Sequence, residues 1–191
     1  MSEDYAVTTS PYRPEFEAAL RLLARVSEAL VARGLPRPVL VGGAAVELYS
    51  ASAIVTGDFD LCSVVQPELE EEMKHLGFMK PSGAGSLTKG WIYPDLALGF
   101  EIVADIPMDG NVDAAHICLV RPIGEQALFR VISVEDLIAD RMGQYASGTA
   151  RDRIDQAREL LRLNPDVDLV YLERRIREES SGDYGVDTIR T

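Results

Sequence analysis

The chain has 191 residues, of which 47% are hydrophobic, and a formal net charge of −12 at pH 7. This composition is typical of one globular domain, or of a domain with a small additional helical subdomain. No run of about 18 apolar residues occurs, and the acidic N-terminus lacks the basic and apolar regions of a signal peptide, so we expect a cytoplasmic protein without a membrane span. The negative charge argues against a surface that attracts nucleic acid everywhere, but it is compatible with a local arginine patch in the C-terminal third.

Alternating helices and strands are expected in the first half of the chain. Between residues 15 and 33, apolar residues recur at three- and four-residue steps and Gly34 follows as a stop, which predicts an amphipathic helix. Pro67 with glutamates directly after it is typical of a helix start. Residues 1–14 are expected to form an irregular N-terminal segment. The elements expected after it are, in order, a helix over 15–33, a strand over 38–41, a short helix over 44–50, a strand over 58–64 and an acidic helix over 67–77.

The second half changes from strands to helices at Ile132. Residues 81–86 (PSGAGS) predict a loop or hairpin tip. Further on, Ser133, Thr149 and Asp168 each have the side chain of a helix N-cap. The expected elements are strands near 91–93, 96–106, 116–120 and 127–132, and helices over 134–146, 150–163 and 169–179. We therefore divide the chain into a core of residues 1–132 and a C-terminal helical subdomain of residues 133–191 that packs on it.

Cysteine and histidine give no sign of a metal site. Cys62 and Cys118 have no Cys or His partner near them in the sequence, so a zinc site is not supported and two buried thiols are expected. His75 and His116 have no motif around them, and we assign structural roles to both.

Asp58 and Asp60 are the strongest chemical signal in the sequence. Alternation along a strand places both carboxylates on one face, opposite Phe59. Two neighbouring carboxylates repel each other unless a cation or proton lies between them, and a hard divalent metal is the usual solution. Upstream, Gly42 and Gly43 follow an apolar strand and precede a short helix, so backbone amides there could approach a phosphate. No dinucleotide fingerprint or P-loop accompanies the glycine pair.

Glu101 is the candidate third carboxylate, as a metal ligand or general base. On its strand it shares a face with Val103 and Asp105 and lies between apolar residues, where an unpaired carboxylate is costly to bury. The sequence pattern fits equally well with a solvent-facing position on a half-exposed strand. Asp105, near the end of the strand, is interpreted as a turn residue.

Arg141 is unusual for its position on the predicted helix. When successive residues are placed 100° apart around the helix axis, Arg141 falls within the apolar stripe. A guanidinium in such a place requires a carboxylate or a phosphate, so it either contacts nucleotide phosphates or forms a structural ion pair or a snorkelling contact. In the next helix, periodicity alone places Asp152 on a solvated face, with an ion pair between Arg151 and Asp155.

The segments VGGAAVELY and TGDFDL together resemble the polymerase-beta-like nucleotidyltransferase superfamily. More narrowly, they are similar to the minimal bacterial nucleotidyltransferases that include the AbiEii-type toxins. VISVEDLIADRM and RDRIDQARELL are similar to the helical C-terminal part of that family. The resemblance implies an α/β (α+β) fold with a mixed β-sheet flanked by helices and followed by a C-terminal helical part. It also implies transfer of a nucleoside monophosphate from an NTP to a tRNA or protein hydroxyl, with Mg²⁺ or Mn²⁺ and an antitoxin-like partner as in toxin-antitoxin systems.

By this resemblance, Asp58, Asp60 and Glu101 are the metal ligands and catalytic residues. The nucleotide-binding residues that it implies are Gly42, Gly43, Thr56, Arg141, Asp152 and Asp155. The chain departs from many relatives in three places: Gly43 replaces a serine, residues 52–55 contain no arginine, and Arg141 replaces a lysine. Two alternatives follow, namely an inactive nucleotide-binding or interaction module and a small-molecule (aminoglycoside-type) nucleotidyltransferase, whose polycationic acceptor would suit an acidic surface.

Overall fold

The structure is a computed structural model that describes residues 10–81, 90–96 and 98–190. Within those residues, six strands form one mixed sheet and six α-helices flank it, which confirms the predicted fold class. The loop expected at residues 81–86 lies outside the described residues except for Pro81. None of the described helices is both long enough and apolar enough to cross a membrane.

The elements match the expected order, with some shifted boundaries. The strands are β1 Val39–Val41, β2 Asp58–Cys62, β3 Trp91–Ile92, β4 Gly99–Ala104, β5 Cys118–Val120 and β6 Phe129–Val131. The helices are α1 Pro14–Ala32, α2 Gly42–Tyr49, α3 Gln66–His75, α4 Val134–Ala146, α5 Arg153–Leu163 and α6 Leu169–Glu179. Short 3-10 turns lie at Pro107–Gly110, Ala114–His116 and Val186–Thr188. The side chains of Ser133 and Asp168 cap α4 and α6 as predicted, whereas Thr149 does not cap α5, which begins three residues later than expected.

The sheet has the strand order β3-β4-β2-β1-β6-β5. β2 lies in its middle, antiparallel to β1 and parallel to β4, and Asp60 faces Val41 on one side and Glu101 on the other. Phe59 stacks on Phe100 with ring centroids 4.7 Å apart, on the face that α1 covers with Phe16. Because side chains alternate along a strand, the three predicted catalytic carboxylates share the opposite face.

A buried ion pair joins α4 to α6. The Nε of Arg175 donates to Oδ1 of Asp136 over 2.7 Å, and both side chains are fully buried. The hydroxyls of Tyr171 and Ser133 also hydrogen-bond to the Asp136 carboxylate, at 3.0 and 2.9 Å. α4 and α5 both contact α2, which belongs to the predicted core of residues 1–132. The C-terminal helices are therefore in contact with the core, and the division into two parts after residue 132 stays a prediction.

The two thiols differ in their exposure. Cys62 is buried as expected, but Cys118 is exposed, so the prediction of two buried thiols is wrong. β5 is an edge strand, and only β6 pairs with it among the described strands, which leaves the Cys118 side chain at the surface. Burial raises the pKa of the Cys62 thiol to about 11, and the negative charge of Asp60 adds to this shift.

We predict that Asp136→Ala lowers the free energy of unfolding by about 3 kcal/mol, because it removes the fully buried partner of a buried guanidinium. Urea denaturation followed by circular dichroism measures the change. Asp155→Ala is the matched control, since it breaks an exposed ion pair with Arg158 and should cost less than about 1 kcal/mol. Equal effects of the two substitutions would mean that Glu178 and Glu179 are sufficient partners for Arg175.

Candidate functional site

A cleft of about 520 Å³ opens where β1 passes into α2 and where β2 begins. This volume lies within the range of about 300–1,000 Å³ that is typical of small-molecule sites. We call it the main cleft. Its lining includes the glycine pair 42–43, residues 54–58, Asp60, and polar side chains from α4 and α5, namely Arg141, Gln144, Arg153 and Gln156.

Close packing explains why two glycines stand at the start of α2. A Cβ atom on Gly42 would lie 2.0 Å from Oδ2 of Asp60, and the φ angle of Gly42 is +65°, in the left-handed region that favours glycine. A Cβ atom on Gly43 would lie 2.4 Å from Oγ1 of Thr56. The N-terminus of α2, with its partial positive charge, therefore lies directly against the carboxylate of Asp60 and the hydroxyl of Thr56.

The three predicted carboxylates lie on one face of the sheet, but they do not line the main cleft together. Asp58 and Asp60 line it, whereas Glu101 lies beside Asp60 in the register of β4 and is exposed outside the lining. Burial raises the pKa of the Asp60 carboxyl, and the charges of Asp58 and Glu101 raise it further, while the Gly43 amide and Arg141 oppose the shift. Asp60 is thus a half-buried acid with two acidic neighbours.

The chemistry of these donors fits a hard divalent cation. Carboxylate oxygens are the ligands that Mg²⁺ prefers, and a cation beside Asp60 would offset the burial and the charge repulsion that together raise its pKa. In the parts of the chain that the structure describes, however, no group of three or more His, Cys, Asp or Glu side chains is arranged to hold a metal ion. The metal set Asp58, Asp60 and Glu101 therefore stays a prediction.

Arg141 lies in the wall of the main cleft and is only 5% exposed. Its Nη1 donates to Oε1 of Gln144 over 3.3 Å, but Nε and Nη2 have no hydrogen-bond partner among the described residues. Nη2 is 3.6 Å from the Asp140 carboxylate, beyond a good hydrogen bond. Burial lowers the pKa of Arg141, although the charge of Asp140 opposes this. A buried guanidinium with unpaired N–H groups at a cleft wall is well placed to bind an anion.

Gln144 connects Arg141 to a second arginine that the sequence did not single out. Its Oε1 also accepts a hydrogen bond from Nε of Arg153 over 3.0 Å, and its Nε2 donates to Oδ2 of Asp140 over 2.9 Å. One amide therefore fixes two guanidinium groups on the same wall. The sequence signal was weak, since Gln144 is an ordinary helix residue three positions after Arg141.

On α5, the structure places other residues in the cleft than those predicted. The side chains of Asp152 and Asp155 are 70% and 76% exposed and do not line the main cleft. Arg153 and Gln156 line it instead. Residues three apart share one face of a helix, so the face of α5 that carries Arg153 and Gln156 is turned toward the cleft, and the aspartates lie on the next face.

Glu47 is the most informative residue that the sequence analysis missed. Its carboxylate is fully buried and accepts hydrogen bonds from Nε of Arg13 at 2.7 Å, the backbone N–H of Thr56 at 2.7 Å and the hydroxyl of Ser52 at 3.0 Å. Arg13 also donates to the carbonyl oxygen of Thr56. The signal was present as a charged residue inside the apolar helix AAVELY. No arginine precedes Thr56 in residues 52–55, yet the N-cap residue of α1 supplies a guanidinium there.

No protein-family model and no curated protein matches this chain. The solved structures that are similar to it include the following two. One is an antigenic nucleotidyltransferase-like protein from Paracoccidioides brasiliensis, which is 16% identical with 90% of both chains covered and a TM-score of 0.60. The other is the antibiotic-resistance factor ANT(2'')-Ia, which is 16% identical with 86% of this chain and 92% of that chain covered and a TM-score of 0.54. At this identity the comparisons show the nucleotidyltransferase-like fold alone, and the narrower resemblance to AbiEii-type proteins stays a prediction.

We predict that Gly42→Ala destabilises the protein more than Gly148→Ala does. Both glycines have positive φ angles, +65° and +74°, so backbone strain alone should cost each variant about 1 kcal/mol. Only Gly42→Ala places a methyl group against the Asp60 carboxylate, because Gly148 has no atom within 4 Å of its Cβ position. Urea denaturation should show the difference, and equal losses would indicate that Asp60 moves aside without cost.

Proposed function

We propose that this protein is a nucleotidyltransferase that transfers a nucleoside monophosphate from an NTP to a hydroxyl acceptor. The observation that carries the proposal is the buried guanidinium of Arg141, whose Nε and Nη2 have no hydrogen-bond partner among the described residues, in the same cleft as Asp58 and Asp60. An anion site beside a carboxylate pair suits a substrate that brings both negative phosphates and a cation. The nucleotidyltransferase-like fold of the similar structures supports this assignment.

We assign the triphosphate to the space between the N-terminus of α2 and the cleft wall that carries Arg141 and Arg153, which we call the arginine wall. The partial positive charge of the helix end favours phosphate there, and Gly42 and Gly43 allow a close approach of the backbone. Arg141 and Arg153 would bind phosphate oxygens from the other side, held in place by Gln144.

Asp58 and Asp60, with Glu101 as the third carboxylate, would hold Mg²⁺ or Mn²⁺. Such a metal, when bound, neutralises phosphate charge and clamps the reacting oxygens. In the transfer, the acceptor oxygen bonds to the α-phosphorus, the bond between the α-phosphorus and the bridging oxygen breaks, and pyrophosphate leaves with the electron pair. Glu101, exposed beside Asp60, would take the proton of the acceptor hydroxyl.

The positions of the other predicted nucleotide-binding residues support such a role for Thr56 but not for Asp152 and Asp155. Thr56 lines the cleft next to Gly43, and we assign it to the nucleotide site. Asp152 and Asp155 lie outside the lining, so the proposal gives them no contact with the nucleotide. A role as a bacterial toxin with an antitoxin-like partner and a tRNA or protein acceptor rests on the sequence resemblance alone.

A second candidate function is an inactive module that binds a nucleotide without transferring it. The observation that favours it is the position of Glu101, which does not line the main cleft with Asp58 and Asp60. The two candidates share the nucleotide site and differ only in turnover.

We predict that the purified protein transfers label from an α-labelled NTP in the presence of Mg²⁺. The double variant Asp58→Asn/Asp60→Asn should reduce transfer to background, and Glu101→Gln should lower it about 10²-fold if Glu101 acts as the base. The acceptor pool contains tRNA, total protein and amino sugars, and all four NTPs are tested. Calorimetry distinguishes the candidates, because NTP binding without transfer supports the inactive module and a lack of NTP binding rejects both.

We also predict that Gln144→Leu raises the Kd for the NTP about tenfold with little change in kcat. The leucine cannot accept hydrogen bonds from the two arginines, and a hydrogen bond to a charged group is worth about 1.5 kcal/mol. Gln66→Leu, an exposed site on α3, is the control. An unchanged Kd would show that the arginines are held without Gln144.

A further inference from the structure

A second cleft, of about 320 Å³, lies next to the main cleft. We call it the side cleft. It shares Gly42, Asp60 and Gln144 with the main cleft, so these three residues form the boundary between them. The rest of its wall is mainly apolar and comes from β1, β2, β4, the turn after β4 and the end of β6, chiefly Val41, Cys62, Val103, Met108 and Ile132.

The two clefts differ in charge. The main cleft has the guanidinium groups of Arg141 and Arg153 in its wall as well as the carboxylates of Asp58 and Asp60, so positive and negative side chains balance there. The described lining of the side cleft contains the carboxylates of Asp60 and Asp140 and neither Lys nor Arg. Residues 91–120, which supply β4 and the turn after it, contain five acidic residues and no Lys or Arg, namely Asp95, Glu101, Asp105, Asp109 and Asp113. Arg130 lies on the same face of the sheet, two residues before Ile132, but outside the lining.

We propose that the side cleft binds the acceptor, and that the acceptor is a small hydroxyl compound that carries an ammonium group. This inference rests on the proposed nucleotidyl transfer and specifies its second substrate. The acceptor hydroxyl would lie beside Asp60, where the two clefts meet, and its carbon skeleton would pack against Val103 and Ile132. Its ammonium group would pair with Asp140, whose side chain is 29% exposed and so remains open to a further cation.

Charge and size both disfavour a nucleic acid in this cleft. The phosphates that flank an RNA 3′ end would lie close to carboxylates, and like charges disfavour such an approach. The volume of about 320 Å³ is at the lower end of small-molecule sites and suits a single sugar ring. The reaction is the same as above: the acceptor oxygen bonds to the α-phosphorus, pyrophosphate leaves, and the hydroxyl proton passes to Glu101.

The first test compares acceptors in pairs that differ in charge. Initial rates of label transfer from the NTP are measured with glucosamine and larger amino sugars, with their N-acetylated forms, and with tRNA and short RNA oligonucleotides. We expect at least tenfold faster transfer to the ammonium-bearing compounds. Transfer to RNA, equal transfer to the acetylated forms, or no transfer to any ammonium-bearing compound would overturn the inference. A failure of the proposed function has a different outcome: NTP binding by calorimetry without transfer to any acceptor supports the inactive module, and a lack of NTP binding rejects both candidates, whereas transfer to RNA or equal transfer to the acetylated forms rejects the acceptor assignment alone.

The second test blocks the side cleft without touching the main one. Val103 is 49% exposed, so Val103→Trp can fill the cleft, and we expect at least a tenfold loss of transfer with the Kd for the NTP unchanged within twofold. Val64→Trp, at a 61% exposed site outside both linings, should change neither quantity. Asp140→Asn should raise the KM of ammonium-bearing acceptors about tenfold and leave that of their acetylated forms unchanged. An unchanged acceptor KM in both side-cleft variants would contradict the assignment.

Discussion

The buried carboxylate of Glu47 is the interaction on which the site depends. It joins three parts of the chain, because α2 supplies the carboxylate, the start of α1 supplies the guanidinium of Arg13, and the segment before β2 supplies the backbone of Thr56. Removing one partner of a buried ion pair leaves an uncompensated charge and is strongly destabilising. The pairing therefore fixes the segment that leads into β2, two residues before Asp58. The glycine pair adds a second constraint, since α2 approaches Asp60 closely only without a side chain at position 42 and approaches Thr56 closely only without one at position 43.

Helix α4 connects the stability of the C-terminal part to the chemistry of the cleft. Its first turn carries Asp136, which the buried Arg175 of α6 holds in place. Its later turns carry Asp140, Arg141 and Gln144, which line one or both clefts. The same helix thus anchors the C-terminal helices and presents the arginine wall. Because Gln144 bonds to the arginines through its oxygen and to Asp140 through its nitrogen, one side chain lies between the arginines of the main cleft and the acidic side cleft.

Local patterns in the sequence determined much of the architecture. Apolar periodicity predicted where helices and strands follow one another along the chain, and the side chains of Ser133 and Asp168 predicted two helix starts. Alternation along β2 placed Asp58 and Asp60 on one face, and helical periodicity identified Arg141 as a charge within an apolar stripe. These predictions succeeded because each depends on contacts within one element, where spacing along the chain fixes direction in space.

Only the tertiary structure decided how those elements meet at the site. The pairing of Glu47 with Arg13 spans 34 residues, and that of Gln144 with Arg153 joins two helices, so no local period indicates either one. The same applies to α5. The residue at which this helix begins and its orientation about its own axis decide that Gln156, and not Asp155, lines the cleft. Sequence alone therefore determined the fold class and the carboxylate pair. Which side chains surround that pair depended on long-range packing, because a helix can turn any of its faces toward a neighbour until burial and charge select one.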